Sequence, residues 1–207
     1  MSQKQEPTPL RRADLDLDPI SQFRIWFDVA LKTDIKQPNA MALATATPGG
    51  IPSARMVLLR DFDENGFVFF TNYESQKGRE LLANPRAALI FYWEPLGRQV
   101  RISGCVERIP LADSDEYFQT RPFESRLGAV ISKQSSVISN RRILDDEFSK
   151  LLAQYTDKKI ERPTHWGGFR VAPEIMEFWQ HRDHRLHDRF CYTRQTNKTW
   201  LIERLSP

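Results

Sequence analysis

The residues best suited to chemistry lie close together near the C-terminus of the chain. Trp179 is followed by Arg185, His187 and Arg189. Guanidinium groups bind phosphates or carboxylates through paired hydrogen bonds, an indole ring offers a flat surface for stacking, and an imidazole exchanges protons near neutral pH. This combination predicts a site for a planar, anionic and redox-active ligand.

The spacing of these residues suggests how they could converge. Side chains alternate between the two faces of a strand, so an extended segment would place Arg185, His187 and Arg189 on one face. Leu186 and Asp188 would then share the other face. A solvated edge strand with a basic face would show the same pattern, so this segment alone leaves both interpretations open.

Two further segments carry donors for anions. Arg55 and Arg60 flank an apolar run, and because their separation is odd, a regular strand would send them to opposite faces, where they could serve two different anions. Ser75, Gln76 and Lys77 stand at a predicted helix start, where free backbone N–H groups favour phosphate. A core strand with charged ends and a capped surface helix are the alternatives.

Tyr117, Arg121 and Ser125 recur every four residues, which predicts one polar stripe on a helix that Pro122 distorts. All three side chains can donate hydrogen bonds to a phosphate. A solvated helix face would also fit. The loop at residues 132–136 is a further donor-rich segment.

Other classes of site are disfavoured by spacing. His181, His184 and His187 are three residues apart, which does not place them on one face of a strand, and no carboxylate or thiol pattern completes a zinc set. We therefore predict no metal site. The chain has no P-loop, no G-x-S-x-G elbow and no G-x-G-x-x-G fingerprint, which argues against a doubly wound nucleotide fold.

The elements that must position these residues are mostly strands joined by short turns. Such strands pair antiparallel, and five or more of them commonly close into a barrel. Asp18 and Pro19 predict the start of an amphipathic helix. The predicted class is therefore mainly β (α+β), a barrel of antiparallel strands with peripheral helices. We predict strands at residues 41–47, 51–60, 67–72, 87–93, 99–109, 168–171, 175–180, 190–194 and 200–205, and further helices at 75–83, 111–120 and 140–155.

The bulk composition limits the function. A length of 207 residues is typical of a single domain. We predict this domain at 19–207, with a helical excursion at about 111–155, after a flexible leader at 1–18. The net charge of +3 is spread along the chain, which argues against a nucleic-acid-coating surface. No apolar run is long enough to span a bilayer, and Cys105 and Cys191 suit buried thiols in a reducing compartment, so we expect a cytoplasmic protein without membrane or nucleic-acid partners.

Taken in order along the chain, these motifs resemble the pyridoxine/pyridoxamine 5'-phosphate oxidase family. Individually most of them are modest, but their ordered co-occurrence is highly specific. They are RMVLLR at 55–60, FFTN at 69–72, RQVR at 98–101, YFQTRP at 117–122, SRLGA at 125–129, SKQSS at 132–136, WGGF at 166–169, EFWQ at 177–180 and RLHDR at 185–189.

The resemblance implies an FMN-binding split β-barrel that works as a homodimer with FMN at the subunit interface. By position, the catalytic residues would be Arg185 and His187. The substrate phosphate and ring would be held by Arg60, Tyr117, Arg121, Ser125, Arg185, Leu186 and His187. FMN would be held by Arg55, Met56, Val57, Leu58, Leu59, Arg60, Phe70, Thr71, Gln76, Lys77, Gln99, Gln134, Ser135, Trp179 and Arg189.

The implied reaction is the FMN-dependent oxidation of pyridoxine or pyridoxamine 5'-phosphate to pyridoxal 5'-phosphate, with O2 as acceptor and H2O2 as product. Three positions depart from the family pattern: Arg60 replaces a usual lysine, Gln76 a frequent arginine and His181 a usual glycine. Two alternatives stay open, namely a non-catalytic carrier of FMN or pyridoxal phosphate and a flavin reductase that uses a nicotinamide donor.

Overall fold

The computed structural model describes residues 9–155 and 158–207. Within these residues the chain forms one nine-stranded sheet with helices around it. The strands are β1 (Ala40–Ala46), β2 (Pro52–Leu58), β3 (Asp61–Asp63), β4 (Gly66–Asn72), β5 (Arg86–Trp93), β6 (Arg98–Arg108), β7 (Trp166–Gln180), β8 (Asp188–Arg194) and β9 (Trp200–Arg204). The α-helices are α1 (Pro19–Leu31), α2 (Gln76–Ala83), α3 (Leu111–Thr120), α4 (Phe123–Ile131) and α5 (Arg142–Tyr155).

Every strand pair in the sheet is antiparallel, which confirms the predicted class. The order is β2-β1-β5-β6-β7-β4-β3, and β8 and β9 extend the sheet from the second half of β7. Strand β2 at one end of this order also contacts β4 near the other end, so the sheet curls round on itself. The helices α3, α4 and α5 all fall between β6 and β7 in the chain.

Strand β7 was predicted as two strands and is one of 15 residues. It pairs with β6 along its length, with β4 through its first half and with β8 through its second half. The pairing with β6 shifts register between Ser103 and Gly104, close to Pro173. A side chain at position 104 would collide with the Ala172 carbonyl, so this bulge requires glycine.

Two elements were not predicted. Strand β3 has three residues and is too short for an alternating pattern to show. Helix α4 begins directly after Pro122, because proline cannot continue α3 but suits the start of a new helix. Tyr117 and Ser125 therefore lie on different helices, and the single stripe predicted for them is wrong.

The main core lies between α1 and the curled sheet. Asp18 caps α1 by accepting a hydrogen bond from the Ser21 backbone N–H at 2.9 Å. Phe23, which is fully buried, packs against the rings of Phe62, Phe67 and Phe91 at centroid distances of 5.0, 4.9 and 5.0 Å. A smaller cluster beneath α3, α4 and α5 contains Phe118, Leu127, Ile160 and Trp166.

The predicted flexible leader differs from the structure where it can be compared. Residues 1–8 lie outside the described residues, whereas Leu10 and Leu15 are buried. The Leu10 backbone N–H donates to Asp188 at 3.0 Å, and its carbonyl accepts from Arg204 at 3.0 Å. The Tyr192 hydroxyl donates to the Asp16 carbonyl at 2.8 Å. The segment from residue 9 to 18 is therefore packed against β8 and β9 and is not free.

Cys105 and Cys191 are both free thiols. Cys105 is exposed, so the expectation that both thiols are buried is wrong for this residue, whereas Cys191 is partly buried, which raises the pKa of its thiol. Among the residues that the structure describes, no helix is both long and apolar enough to cross a membrane.

Replacing Phe23 by Ala is expected to lower the free energy of unfolding by about 4 kcal/mol, because it leaves a cavity among several aromatic rings. Urea unfolding at one fixed protein concentration measures this. Ile25→Ala is the matched control, since Ile25 lies on the same helix and is 51% exposed, and it should cost less than about 1 kcal/mol. An equal decrease in the free energy of unfolding in the two variants would contradict the conclusion that the Phe23 ring cluster forms the main core.

Candidate active site

A cavity of about 430 Å³ opens between the ends of β2 and β4, the start of α2, and the helices α3 and α4. Its wall includes a stack of three rings: Phe70 lies 4.0 Å from Tyr117 and 5.2 Å from Trp166, centroid to centroid. Eleven of the residues predicted from the sequence meet here. They are Met56, Val57, Leu58, Arg60, Phe70, Thr71, Lys77, Tyr117, Arg121, Ser125 and Gln134.

One side of the cavity carries two guanidinium groups beside the aromatic stack. The Arg60 guanidinium lies 5.7 Å from the Tyr117 ring, and that of Arg121 lies 4.7 Å from the Trp166 ring. The Nη1 of Arg121 is buried and has no hydrogen-bond partner among the described residues, and burial lowers the pKa of this guanidinium. An unpaired buried donor is costly, so Arg121 is suited to an anion that supplies the missing acceptor.

The break at Pro122 is what brings Ser125 to the same cavity. Arg121 ends α3 in an extended conformation, and α4 then starts in a new direction. Tyr117, Arg121 and Ser125 therefore converge from two helices and the turn between them, although they do not form a continuous stripe.

The other side of the cavity carries Lys77 at the start of α2. Ser75 caps this helix by accepting from the Gly78 backbone N–H at 3.3 Å. Lys77 is only 9% exposed, and its ammonium donates to Gln134 Oε1 at 2.9 Å. Its pKa is lowered, first by burial and then by the charge of Arg55. The nearest polar contacts of this ammonium are thus neutral, which leaves its charge available to an anion.

The loop at residues 132–136 folds over this helix start. Gln134 also accepts from the Thr71 hydroxyl at 3.3 Å, and the Ser135 hydroxyl accepts from the Gln76 backbone N–H at 3.2 Å. Ser135 adopts a left-handed backbone conformation with φ of 72°. Gln76 and Ser135 do not line the cavity themselves but lie next to residues that do.

Arg55 and Leu59, which were assigned to FMN, do not line the cavity. Leu59 is buried in the main core. Arg55 forms an ion pair with Glu80 at 3.3 Å, and both side chains are largely buried. The sequence analysis missed Glu80, although its position one helical turn after Gln76 was the signal that could have found it.

Glu80 accepts hydrogen bonds from four side chains. The Ser53 hydroxyl donates at 2.6 Å, the Gln76 amide at 2.9 Å, and the Thr45 hydroxyl and the Arg55 guanidinium complete the set. Burial raises the pKa of this carboxyl, but the hydrogen bonds and the charge of Arg55 outweigh that effect and lower it to about 2. Glu80 is therefore ionised throughout the neutral range.

A second cluster lies at the far end of β7. Trp179 pairs across the sheet with Gln99 on β6 and with Arg189 on β8. The His187 ring lies 4.6 Å from the Trp179 ring and 5.3 Å from that of His181. Arg189 is held by Glu177 at 2.8 Å.

The backbone fixes the tautomer of His187. Its Nδ1 accepts a hydrogen bond from the Arg182 backbone N–H at 3.1 Å, so the proton of the neutral ring lies on Nε2. The pKa of this imidazole is lowered by burial and by the charges of His181 and Arg185. His187 is therefore neutral over a wider range of pH than an isolated histidine.

Residues 185–187 do not adopt the extended conformation under which their side chains would alternate. Residues 183–185 form a tight turn, closed by the Leu186 backbone N–H donating to the Asp183 carbonyl at 3.1 Å, and β8 begins only at Asp188. His184 and Arg185 both have positive φ, 56° and 60°. Arg185, His187 and Arg189 consequently do not share one face of a strand, and Arg185 and Leu186 are exposed.

The structure does not bring the two clusters together within one chain. None of the predicted residues at the far end of β7 lines the cavity, namely Gln99, Trp179, Arg185, Leu186, His187 and Arg189. Among the described residues, no group of three or more histidine, cysteine or acidic side chains is arranged to hold a metal ion.

Two family models match the chain. One, described as pyridoxamine 5'-phosphate oxidase, matches residues 27–155. The other, described as the pyridoxine 5'-phosphate oxidase C-terminal dimerisation region, matches residues 166–207. Nearly all the cavity residues fall in the first match, and the cluster around His187 falls in the second.

Relatives match almost the whole chain. A protein of Nostoc punctiforme named pyridoxine/pyridoxamine 5'-phosphate oxidase is 56% identical over 198 residues, which cover 96% of this chain and 92% of the relative. A protein of Arabidopsis thaliana, named pyridoxine/pyridoxamine 5'-phosphate oxidase 1, chloroplastic, is 54% identical over 202 residues, 96% of this chain and 38% of the relative.

Among solved structures, PhzG from Burkholderia lata 383 in complex with tetrahydrophenazine-1-carboxylic acid matches with a TM-score of 0.91 at 31% identity. The match covers 98% of this chain and 100% of that one.

Replacing His181 by Gly is expected to raise the pKa of His187, because it removes a neighbouring titratable ring and exposes the imidazole. A titration of the His187 ring signals by NMR measures this directly. His184→Asn is the matched control, since asparagine tolerates the left-handed conformation and His184 is not among the groups that lower the pKa of His187. A pKa of His187 that is unmoved in the His181 variant would contradict the coupling.

Proposed function

The chain belongs to the pyridoxamine 5'-phosphate oxidase family, and from this premise we propose that it oxidises pyridoxine or pyridoxamine 5'-phosphate to pyridoxal 5'-phosphate, with FMN as cofactor, O2 as acceptor and H2O2 as product. The observation that carries the proposal is the convergence of Arg60, Tyr117, Arg121 and Ser125 in one cavity. Relatives more than 50% identical over nearly the whole chain bear the name of this activity.

The residues present fit FMN. Lys77 is a buried cation whose hydrogen-bond acceptors are neutral, as the site of a phosphate requires. Met56, Val57 and Leu58 contribute apolar side chains and strand backbone to the lining of the cavity. When bound, FMN would supply the redox chemistry, as the group that takes up two electrons from the substrate and is reoxidised by oxygen.

Arg60, Tyr117, Arg121 and Ser125 would hold the substrate phosphate. Arg121 contributes the unpaired buried donor, and Tyr117 and Ser125 contribute hydroxyl groups. Arg60 stands where lysine is usual in the family, and it offers a planar pair of donors instead of one compact ammonium. The cavity thus has two cationic sides, one around Lys77 and one around Arg121, which suits two separate phosphates.

We propose that Arg185 and His187 position the reacting carbon and assist the loss of the substrate proton. In the tautomer set by the Arg182 backbone, His187 donates through Nε2, which suits a hydrogen bond to the substrate hydroxyl or amino group. To accept a proton at Nδ1, the ring must give up its bond to Arg182. Arg185 would contribute charge and orientation.

A homodimer would join the two clusters. The match to a dimerisation region covers residues 166–207, which include Trp179, Arg185, His187 and Arg189. We propose that this cluster meets the cavity of a second copy of the chain, with FMN at the interface. The two free thiols support a cytoplasmic location for the enzyme.

The first test is the visible spectrum of the FMN-loaded protein without oxygen, before and after addition of pyridoxine 5'-phosphate and then air. We expect the flavin absorbance to bleach and to return in air, with peroxide formed. A flavin spectrum that does not bleach would favour the non-catalytic carrier. Bleaching by NADH but not by either B6 phosphate would favour a flavin reductase.

The roles of the two clusters can be separated by a pair of variants. Lys77→Ala should weaken FMN binding roughly tenfold to a hundredfold, because a charge-assisted contact to the phosphate is lost. Arg185→Leu should lower turnover by about a hundredfold while FMN binding changes little. Flavin titration of the apoprotein and steady-state kinetics measure the two effects, and the reverse pattern would show that the clusters are misassigned.

A further inference from the structure

Glu80 is a buried acid on α2, one helical turn after Gln76 and outside the lining of the cavity, and the mechanism above does not use it. Its side chain is 8% exposed, and one oxygen, Oε2, receives the Thr45, Ser53 and Arg55 donors while the other, Oε1, receives Gln76. A buried carboxylate keeps its charge only when it is well supplied with hydrogen bonds or cations. Here it has both.

Two of the four partners of Glu80, Arg55 and Gln76, belong to the segments assigned to FMN. Arg55 lies at the start of the RMVLLR run, and Gln76 precedes Lys77 at the start of α2. The Gln76 backbone N–H in turn contacts Ser135 of the loop that covers this helix start. Glu80 therefore links the strand, the helix and, through Gln76, the loop that surround the buried ammonium of Lys77.

We propose that Glu80 is a positioning residue for the phosphate group of FMN: its carboxylate holds Arg55 and Gln76 beside the start of α2, next to Lys77. This inference rests on the proposed function. It adds a residue that neither the motifs nor the cavity lining identified.

The charges around Lys77 support this role. Arg55 and Lys77 are two cations whose charges oppose one another, and Glu80 is the acid that offsets them. Among the described residues, Arg55 is the one cation that forms an ion pair with Glu80, since Gln76 is neutral. With the carboxylate in place, both cations can remain charged in a largely buried site and favour an anion there.

A purely structural role for Glu80 would have different consequences. The bonds from Thr45 and Ser53 fasten α2 to β1 and β2, and their loss alone would weaken binding of any flavin. Loss of the positioning of Arg55 and Gln76 would weaken the binding only of ligands that carry the phosphate. Riboflavin shares the ring and ribityl chain of FMN but lacks the phosphate, so comparison of the two ligands separates these roles.

The test is fluorescence titration of the apoprotein with FMN and with riboflavin, for the wild type and for Glu80→Gln. The glutamine is similar in size but is neutral and presents an amide donor to groups that are donors themselves. We expect the Kd for FMN to rise about tenfold while the Kd for riboflavin changes less than about twofold. Glu174→Gln is the matched control, since Glu174 is an exposed acid paired with Arg86 and should leave both Kd values unchanged.

An unchanged preference for FMN over riboflavin in the Glu80 variant would overturn the inference, and so would tighter binding of FMN. Should Glu80→Gln fail to fold, Glu80→Asp serves the same test, because it keeps the charge but withdraws the carboxylate from Gln76. The Glu80→Asp variant should reduce the preference for FMN over riboflavin by a smaller factor than Glu80→Gln. An unreduced preference would again overturn the inference. If the wild type itself does not prefer FMN, the proposed function fails as well; if only the variant result is negative, the proposed function stands.

Discussion

The single strand β7 is the constraint on which the rest of the structure depends. Its first residue, Trp166, forms part of the cavity wall, and Trp179 near its other end carries the cluster around His187. These two residues are separated by roughly 40 Å of strand at about 3.3 Å per residue. A continuous strand that pairs with β6 along its length cannot fold back to bring its ends together. The cavity and the cluster around His187 are therefore kept apart within one chain, and this separation is the physical reason for proposing that a second copy of the chain brings them together.

The cavity itself carries a cost that a ligand would remove. The Nη1 donor of Arg121 is buried without a partner among the described residues, and Lys77 is buried against neutral acceptors. Both arrangements destabilise the folded chain compared with apolar packing of the same volume. An anion that supplies acceptors to these groups offsets the free-energy cost of burying them. The features that lower the stability of the folded chain therefore raise its affinity for an anion. Glu80 is the exception, since its charge is already matched by four donors.

The sequence predicted most of the elements because their signals are local. The cap and apolar spacing of α1 and the alternation in β1 depend only on neighbouring residues, and both elements are present close to the predicted positions. The shared face considered for Arg185, His187 and Arg189 is absent, because alternation of residue types cannot reveal the two consecutive left-handed residues His184 and Arg185. Glu80 was missed because an acid in a helix looks like a solvated residue until the strands that cover it are known. The assignment of cavity residues came from the family resemblance, and their convergence depends on contacts that no local pattern contains.

The leader segment has a consequence for the order in which the protein assembles during synthesis. The Leu10 backbone contacts Asp188, 178 residues later in the chain, and Asp188 is adjacent to His187. Contacts of such long separation form late, because a large loop must close first. Residues near Leu10 leave the ribosome early but have no docking surface until β8 and β9 have been made and paired with β7. The segment around Leu10 is thus synthesised well before β8 and β9 but reaches its final position only after them, and the surroundings of His187 are completed at the same late stage.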